Sequence, residues 1–162
     1  MGPTGTSRSR RILQHILAGI ETGVLGSLLA AGWYGFSSLL QGQPVWVVPG
    51  RIGTALFESL SLRNGFSQAA AAGIAFQVVA GGVLGATFGL LVGDTARVAR
   101  TMLLGILFSL CCFYAWYSWL GPSLMPAEPL PASARSVLVA HLLFGAHLGR
   151  YPHALRLVRG AE

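Results

Sequence analysis

Glu21 and His147 are the residues whose type and setting could do chemistry, because both sit inside long apolar stretches. An ionisable side chain at mid-bilayer costs ~3 kcal/mol on insertion scales and is normally kept for a partner or a function. Glu21 lies twelve residues before Trp33, and His147 lies twelve residues after Arg135. On a helix each separation is ~18 Å, so the two side chains are expected at similar depth. Arg150 follows His147 by three residues and shares its helix face. Three readings follow. One is a buried Glu21–His147 or Glu21–Arg150 pair that fixes helix register. Another is a proton or cation site, with Glu21 as carboxylate and His147 as relay. The third is a Glu21 that stays protonated and donates to a backbone carbonyl.

Histidines suggest a second chemistry. One b-type haem needs two His at one depth on two helices. His15 and His153 are the pair nearest that requirement, although Pro152 interrupts the helix beside His153. Otherwise the chain offers little. There is no phosphate loop ending in Lys, no zinc helix of the HExxH type and no Gly-x-Ser-x-Gly elbow. Cys111 and Cys112 are adjacent, which suits neither a disulfide framework nor a metal site. Asp and Glu total five, too few for paired-carboxylate catalysis or a metal cluster. No enzyme activity, metal or resident cofactor is expected.

The elements that must position these residues are membrane helices. Hydrophobic residues make up 53% of the 162-residue chain and charged residues 10%, against roughly 25% charged in a soluble domain. Four segments approach the ~20 apolar residues that a crossing needs. They run at about 12–40, 69–92, 98–120 and 132–151, and predict one all-α domain, a bundle of four transmembrane helices. The net charge of +6 is carried by arginines at the span ends, so it reads as membrane anchoring and not as nucleic-acid binding. With four crossings, Arg8, Arg10, Arg11, Arg97, Arg100, Arg150, Arg156 and Arg159 share one side; Arg51, Arg63 and Arg135 take the other. Eight against three predicts both termini in the cytoplasm. Trp33, Trp46, Trp116 and Trp119 gather at the opposite interface.

Between the first two spans, segment 41–68 opens with Pro44 and Pro49, which argue against regular helix there. An interfacial helix is expected from Arg51 to Leu62, with Ile52, Leu56 and Leu60 on one face. After the second span, Asp94 or Thr95 is expected to cap the third.

Glycines recur at four-residue spacing: Gly19 and Gly23; Gly81, Gly85 and Gly89; Gly145 and Gly149. Such ridges let helix backbones approach closely in lipid, within a tight bundle or against other subunits. The segments from His15 to Gly23 and from His141 to Gly149 also parallel one another, as an inverted repeat of a transporter would.

The stretch His141–Gly145 continuing to Leu148–Pro152 resembles the last helix of a loose group of small polytopic inner-membrane proteins of bacteria, themselves uncharacterised. The Gly-rich first span followed by a loop with Trp and Pro is similar to theirs. The resemblance implies a multi-pass protein of the bacterial inner membrane and assigns no site residue. The leading functional expectation is an accessory or scaffolding component of a membrane assembly, bound to other subunits or to itself. The alternatives are a small proton- or cation-coupled transporter using Glu21 and His147, and a single-haem electron carrier.

Overall fold

The computed structural model describes residues 4–57, 65–94, 97–124 and 132–160, and every regular element among them is helical. Helix α1 is Thr4–Leu40, α2 is Val47–Leu56, α3 is Gln68–Val92 and α4 is Val98–Ala115. A π-helical turn, Trp116–Leu120, joins α4 to the short α5, Gly121–Leu124. Helices α6, Ala134–Leu148, and α7, Tyr151–Gly160, complete the chain.

Three stretches are long and apolar enough to cross a membrane: Arg8–Leu40, Gln68–Val92 and Val98–Ser123. The fourth expected span is divided. Helix α6 has 15 residues, ~22 Å, and the last turn tightens where Gly149 and Arg150 donate to carbonyls three residues back. Pro152 then falls in the first turn of α7, where its missing N–H leaves no bond unmade.

The helices are turned inside out relative to a soluble protein. On α1 the exposed face carries Leu13, Leu17, Leu28, Phe36 and Leu39, while Gln14, His15, Thr22, Ser27, Ser37 and Ser38 are buried. Val79, Val83 and Leu91 on α3, and Leu103 and Leu107 on α4, also face outward. This is the arrangement of a membrane protein, in which apolar side chains meet lipid and small or hydroxyl-bearing ones face helices. The buried hydroxyls of Thr22, Ser27, Ser37 and Ser38 donate to carbonyls three or four residues back.

Two antiparallel pairs form the bundle, and glycine sets the spacing of both. A Cβ added to Gly23 would lie 2.1 Å from the carbonyl oxygen of Gly81, and one on Gly85 would lie 2.1 Å from that of Gly19. Gly89 faces the His15 carbonyl, and Gln77 donates from Nε2 to the Ser27 carbonyl. Each four-residue step along α1 therefore meets a four-residue step back along α3. In the second pair, a Cβ on Gly105 of α4 would lie 2.4 Å from the Gly145 carbonyl oxygen of α6, and Ser109 donates to the His141 carbonyl. Helix α1 also packs against α6, through Phe144 over Gly26 and through Trp33 Nε1 donating to the Ser136 carbonyl. Helices α3 and α4 barely touch. The similar segments of α1 and α6 thus pack against different partners, α3 and α4.

Three local expectations are corrected. The helix expected at Arg51–Leu62 starts earlier, at Val47, and Pro49 is accommodated in its first turn. Gly53 and Gly73 let it seat antiparallel on α3, with Val48, Pro49, Gly50, Ile52 and Gly53 buried. Glu58, Leu60 and Leu62 lie outside the described residues. The third span does not stop at Leu120 but continues through Pro122 to Leu124. The π turn ahead of Pro122 bonds Gly121 N–H to the Trp116 carbonyl, one residue further back than in an α-helix. Lastly, the N-cap of α4 is Arg97, which makes no side-chain cap bond, and Asp94 accepts from Arg159 instead; Thr95 lies outside the described residues.

Candidate functional site

Glu21 does not meet His147 or Arg150. It is exposed on the outward face of α1, and it makes no ion pair or hydrogen bond among the described residues. The physical reason is helix geometry. Gly19 and Gly23 face α3, and a residue two positions from each is turned roughly 200° away. Leu17, Ile20, Leu25 and Leu28 surround it in sequence and are themselves exposed. His147 is half-buried on α6, with Nε2 enclosed and without a hydrogen-bond partner, while Arg150 is exposed in the turn beyond. Depth alone had paired these residues; the rotation of each helix about its axis separates them.

His15 and His153 differ in setting: His153 is exposed on α7, whereas His15 is buried. His15 is buried where α1, α3 and α7 converge, and its Nδ1 meets the hydroxyl of Tyr151. Tyr151 is fully buried and donates to the Gly89 carbonyl at 3.1 Å. With that proton committed, Nδ1 is the donor to the phenolic oxygen, since a carbonyl can only accept. On the other side of the ring, Nε2 lies 3.8 Å from an Asp94 carboxylate oxygen, and Arg159 donates to the same oxygen at 2.5 Å. A polar chain therefore runs Gly89–Tyr151–His15–Asp94–Arg159. It ties the link after α3 and helix α7 to the start of α1.

Asp94 stands outside the spans, and the hydrogen bond from Arg159 holds its carboxyl below the usual carboxylate range. A depressed native pKa contributes stability that is present above the unfolded value of about 3.9 and is lost as pH falls through the folded value. Acidification from pH 5 to pH 3 should therefore loosen α7. Amide exchange over Tyr151–Gly160 should rise in the native protein and already be raised at pH 5 in Asp94→Asn. Identical exchange in both proteins at pH 5 would show that the ion pair does not hold α7.

A cavity of about 160 Å³ lies between α1, α2, α3, α4 and α6, toward the Trp33 end of the bundle. Tyr34, Gln77, Cys112, Trp116, His141 and Phe144 are among its lining residues. It exists because α3 and α4 stay apart, bridged by the Phe88–Phe108 ring pair at 5.6 Å on the side nearer Tyr151. Gln77 spends its amide N–H on the Ser27 carbonyl at 3.2 Å, and its Oε1 is buried without a partner. His141 donates from Nδ1 to the Val137 carbonyl at 2.9 Å, leaving Nε2 as acceptor in the neutral ring. Sequence reading passed over Gln77, since an isolated Gln on an apolar helix carries no motif, and took His141 only as the start of a repeated segment. Their relevance arises only from facing a shared space.

No protein-family model, curated protein or solved structure matches the chain.

Proposed function

We propose that the chain is a non-catalytic subunit of a membrane assembly, and that it docks to its partner through the outward face of α1 at Glu21. The observation that carries this reading is Glu21 itself: a carboxyl on a leucine face, with no partner among the described residues. It stands ten residues beyond Arg11 and twelve short of Trp33, ~15 and ~18 Å along the helix, and so near mid-bilayer. A lone carboxyl facing hydrocarbon there is costly, and a hydrogen-bond donor or cation from another membrane helix offsets that cost. The matching surface is a helix with a basic or amide side chain at mid-bilayer, rimmed by apolar residues.

The same reading places four crossings in a bacterial inner membrane, with both termini in the cytoplasm. Arginine bias supports the orientation. Contacts at both ends of α6 support the fourth crossing. Ser136 bonds Ser37 at one end, and just past the other Tyr151 meets His15; these partners are ~33 Å apart along α1.

Native mass spectrometry of the full chain from mild detergent tests the proposal. The wild-type particle should contain further membrane subunits or a second copy. Glu21→Leu should weaken that association roughly tenfold, the scale of one interhelical hydrogen bond in lipid, with an unchanged melting temperature. The same particle in Glu21→Leu, or a bare monomer in the wild type, would sink it.

A further inference from the structure

Most of the arginines gather at one end of the bundle, away from the Glu21 face, and helix α7 closes that end. The antiparallel packing brings together the start of α1, the end of α3, the start of α4 and α7. Arg8, Arg11, Arg97, Arg100, Arg150 and Arg156 are all exposed there. Asp94 is the one acidic side chain at this end among the described residues, and Arg159 and Arg11 both act on it. The guanidiniums of Arg150 and Arg156 make no hydrogen bond or ion pair among the described residues. So much charge of one sign opposes compact packing unless an anion offsets it. Helix α7 is fastened at both ends, through Tyr151 to His15 and through Arg159 to Asp94. Tyr151, Ala154 and Leu155 form its buried face, and His153, Arg156 and Leu157 face outward.

The residues between the arginines decide what this surface fits. Ile12 beside Arg11, Val98 beside Arg97 and Leu157 beside Arg156 are exposed by 43%, 51% and 54%. A water-borne polyanion such as RNA would pair the guanidiniums and leave these apolar side chains wet. A phospholipid meets both, with its phosphate against guanidinium and its acyl chains against the apolar neighbours. We infer that this end of the bundle is a binding surface for an anionic phospholipid, centred on the outward face of α7. The phosphodiester pairs with Arg156, Arg150 at the start of α7 adds to the local potential, and Leu157 lies against the upper part of an acyl chain. A zwitterionic lipid brings its own cation to the same place and gains less.

Dioleoylphosphatidylglycerol and dioleoylphosphatidylcholine are titrated separately into the full-length protein in mild detergent, and the first bound lipid is quantified by native mass spectrometry. Phosphatidylglycerol should bind about 25-fold tighter, about fivefold for each of two arginines near an anionic headgroup. Arg156→Gln should lower its affinity about fivefold, and Arg150→Gln with Arg156→Gln should bring it to that of phosphatidylcholine. Arg135→Gln, at the opposite end, should leave the preference intact. Dioleoylglycerol, which lacks the phosphate, should show no preference over phosphatidylcholine in the wild type, and it supplies the reading if a variant fails to fold. Equal binding of phosphatidylglycerol and phosphatidylcholine to the wild type would overturn the inference. So would a preference that survives the double variant, one shared by dioleoylglycerol, or one lost equally in Arg135→Gln. Displacement of phosphatidylglycerol by a short uridine oligonucleotide would make the surface a nucleic-acid site and overturn it as well.

Discussion

Gly85→Leu is expected to separate α1 from α3 and to destabilise the protein by more than about 3 kcal/mol, above the usual range for overpacking. The reason is what the new side chain would meet. A Cβ at this position falls 2.1 Å from the Gly19 carbonyl oxygen and 2.6 Å from the Gly23 Cα, both backbone atoms. Flexible side chains can rotate away; a helix backbone can yield only by moving the whole helix. The shift would propagate along the register that joins Gly89, Gly85, Gly81 and Gln77 to α1. Unfolding in mixed micelles of increasing denaturing detergent measures the effect. Gly32→Leu is the matched control, because nothing lies within 4 Å of its added Cβ. It should be neutral or slightly stabilising, since leucine is the better helix former by up to about 1 kcal/mol. Equal behaviour of the two variants would show that the glycine contact does not hold α1 to α3.

Tyr151→Ala should cost about 3–5 kcal/mol, the range for emptying a large buried aromatic site. Tyr151 is fully buried and packs edge-on against Phe88, with ring centroids 6.1 Å apart. Tyr151→Phe separates the two contributions. It keeps the ring but leaves His15 Nδ1 without its partner, a loss of about 1–3 kcal/mol for an unpaired buried group, while the Gly89 carbonyl still accepts from Gly93 N–H. The order of stability should be wild type, then Phe, then Ala. Coupling between His15→Phe and Tyr151→Phe in a double-mutant cycle identifies the hydrogen bond itself. Additive losses would show that the two side chains act independently.

The class of the protein was legible in composition and in the spacing of small residues. Few charges, long apolar runs and arginines at their ends lead to helices in lipid without any knowledge of contacts. Glycines at four-residue intervals must line one face of a helix whatever that helix packs against. Sequence does not say which helix each glycine face meets; within the chain, Gly19 and Gly23 meet α3 and Gly145 meets α4.

The candidate site was harder to read. Distance along a helix is a one-dimensional quantity, and it placed Glu21 and His147 at matching depth. Their relative rotation depends on which neighbour claims each face, and α3, by taking Gly19 and Gly23, turned Glu21 outward. His15 was noticed as a histidine and considered with His153, but Tyr151 came to its side because the chain breaks at Gly149–Arg150 and re-enters helix as α7. Asp94 looked like a cap because it precedes a helix, yet Arg159, distant in sequence, made the stronger claim on its carboxylate. Gln77 and His141 have no shared pattern at all; the gap between α3 and α4 gives them a common space. Apolar length, charge bias and residue size act locally and are therefore written in order along the chain. Pairing, rotation and cavity shape result from competition among helix faces, which only the packed tertiary structure decides.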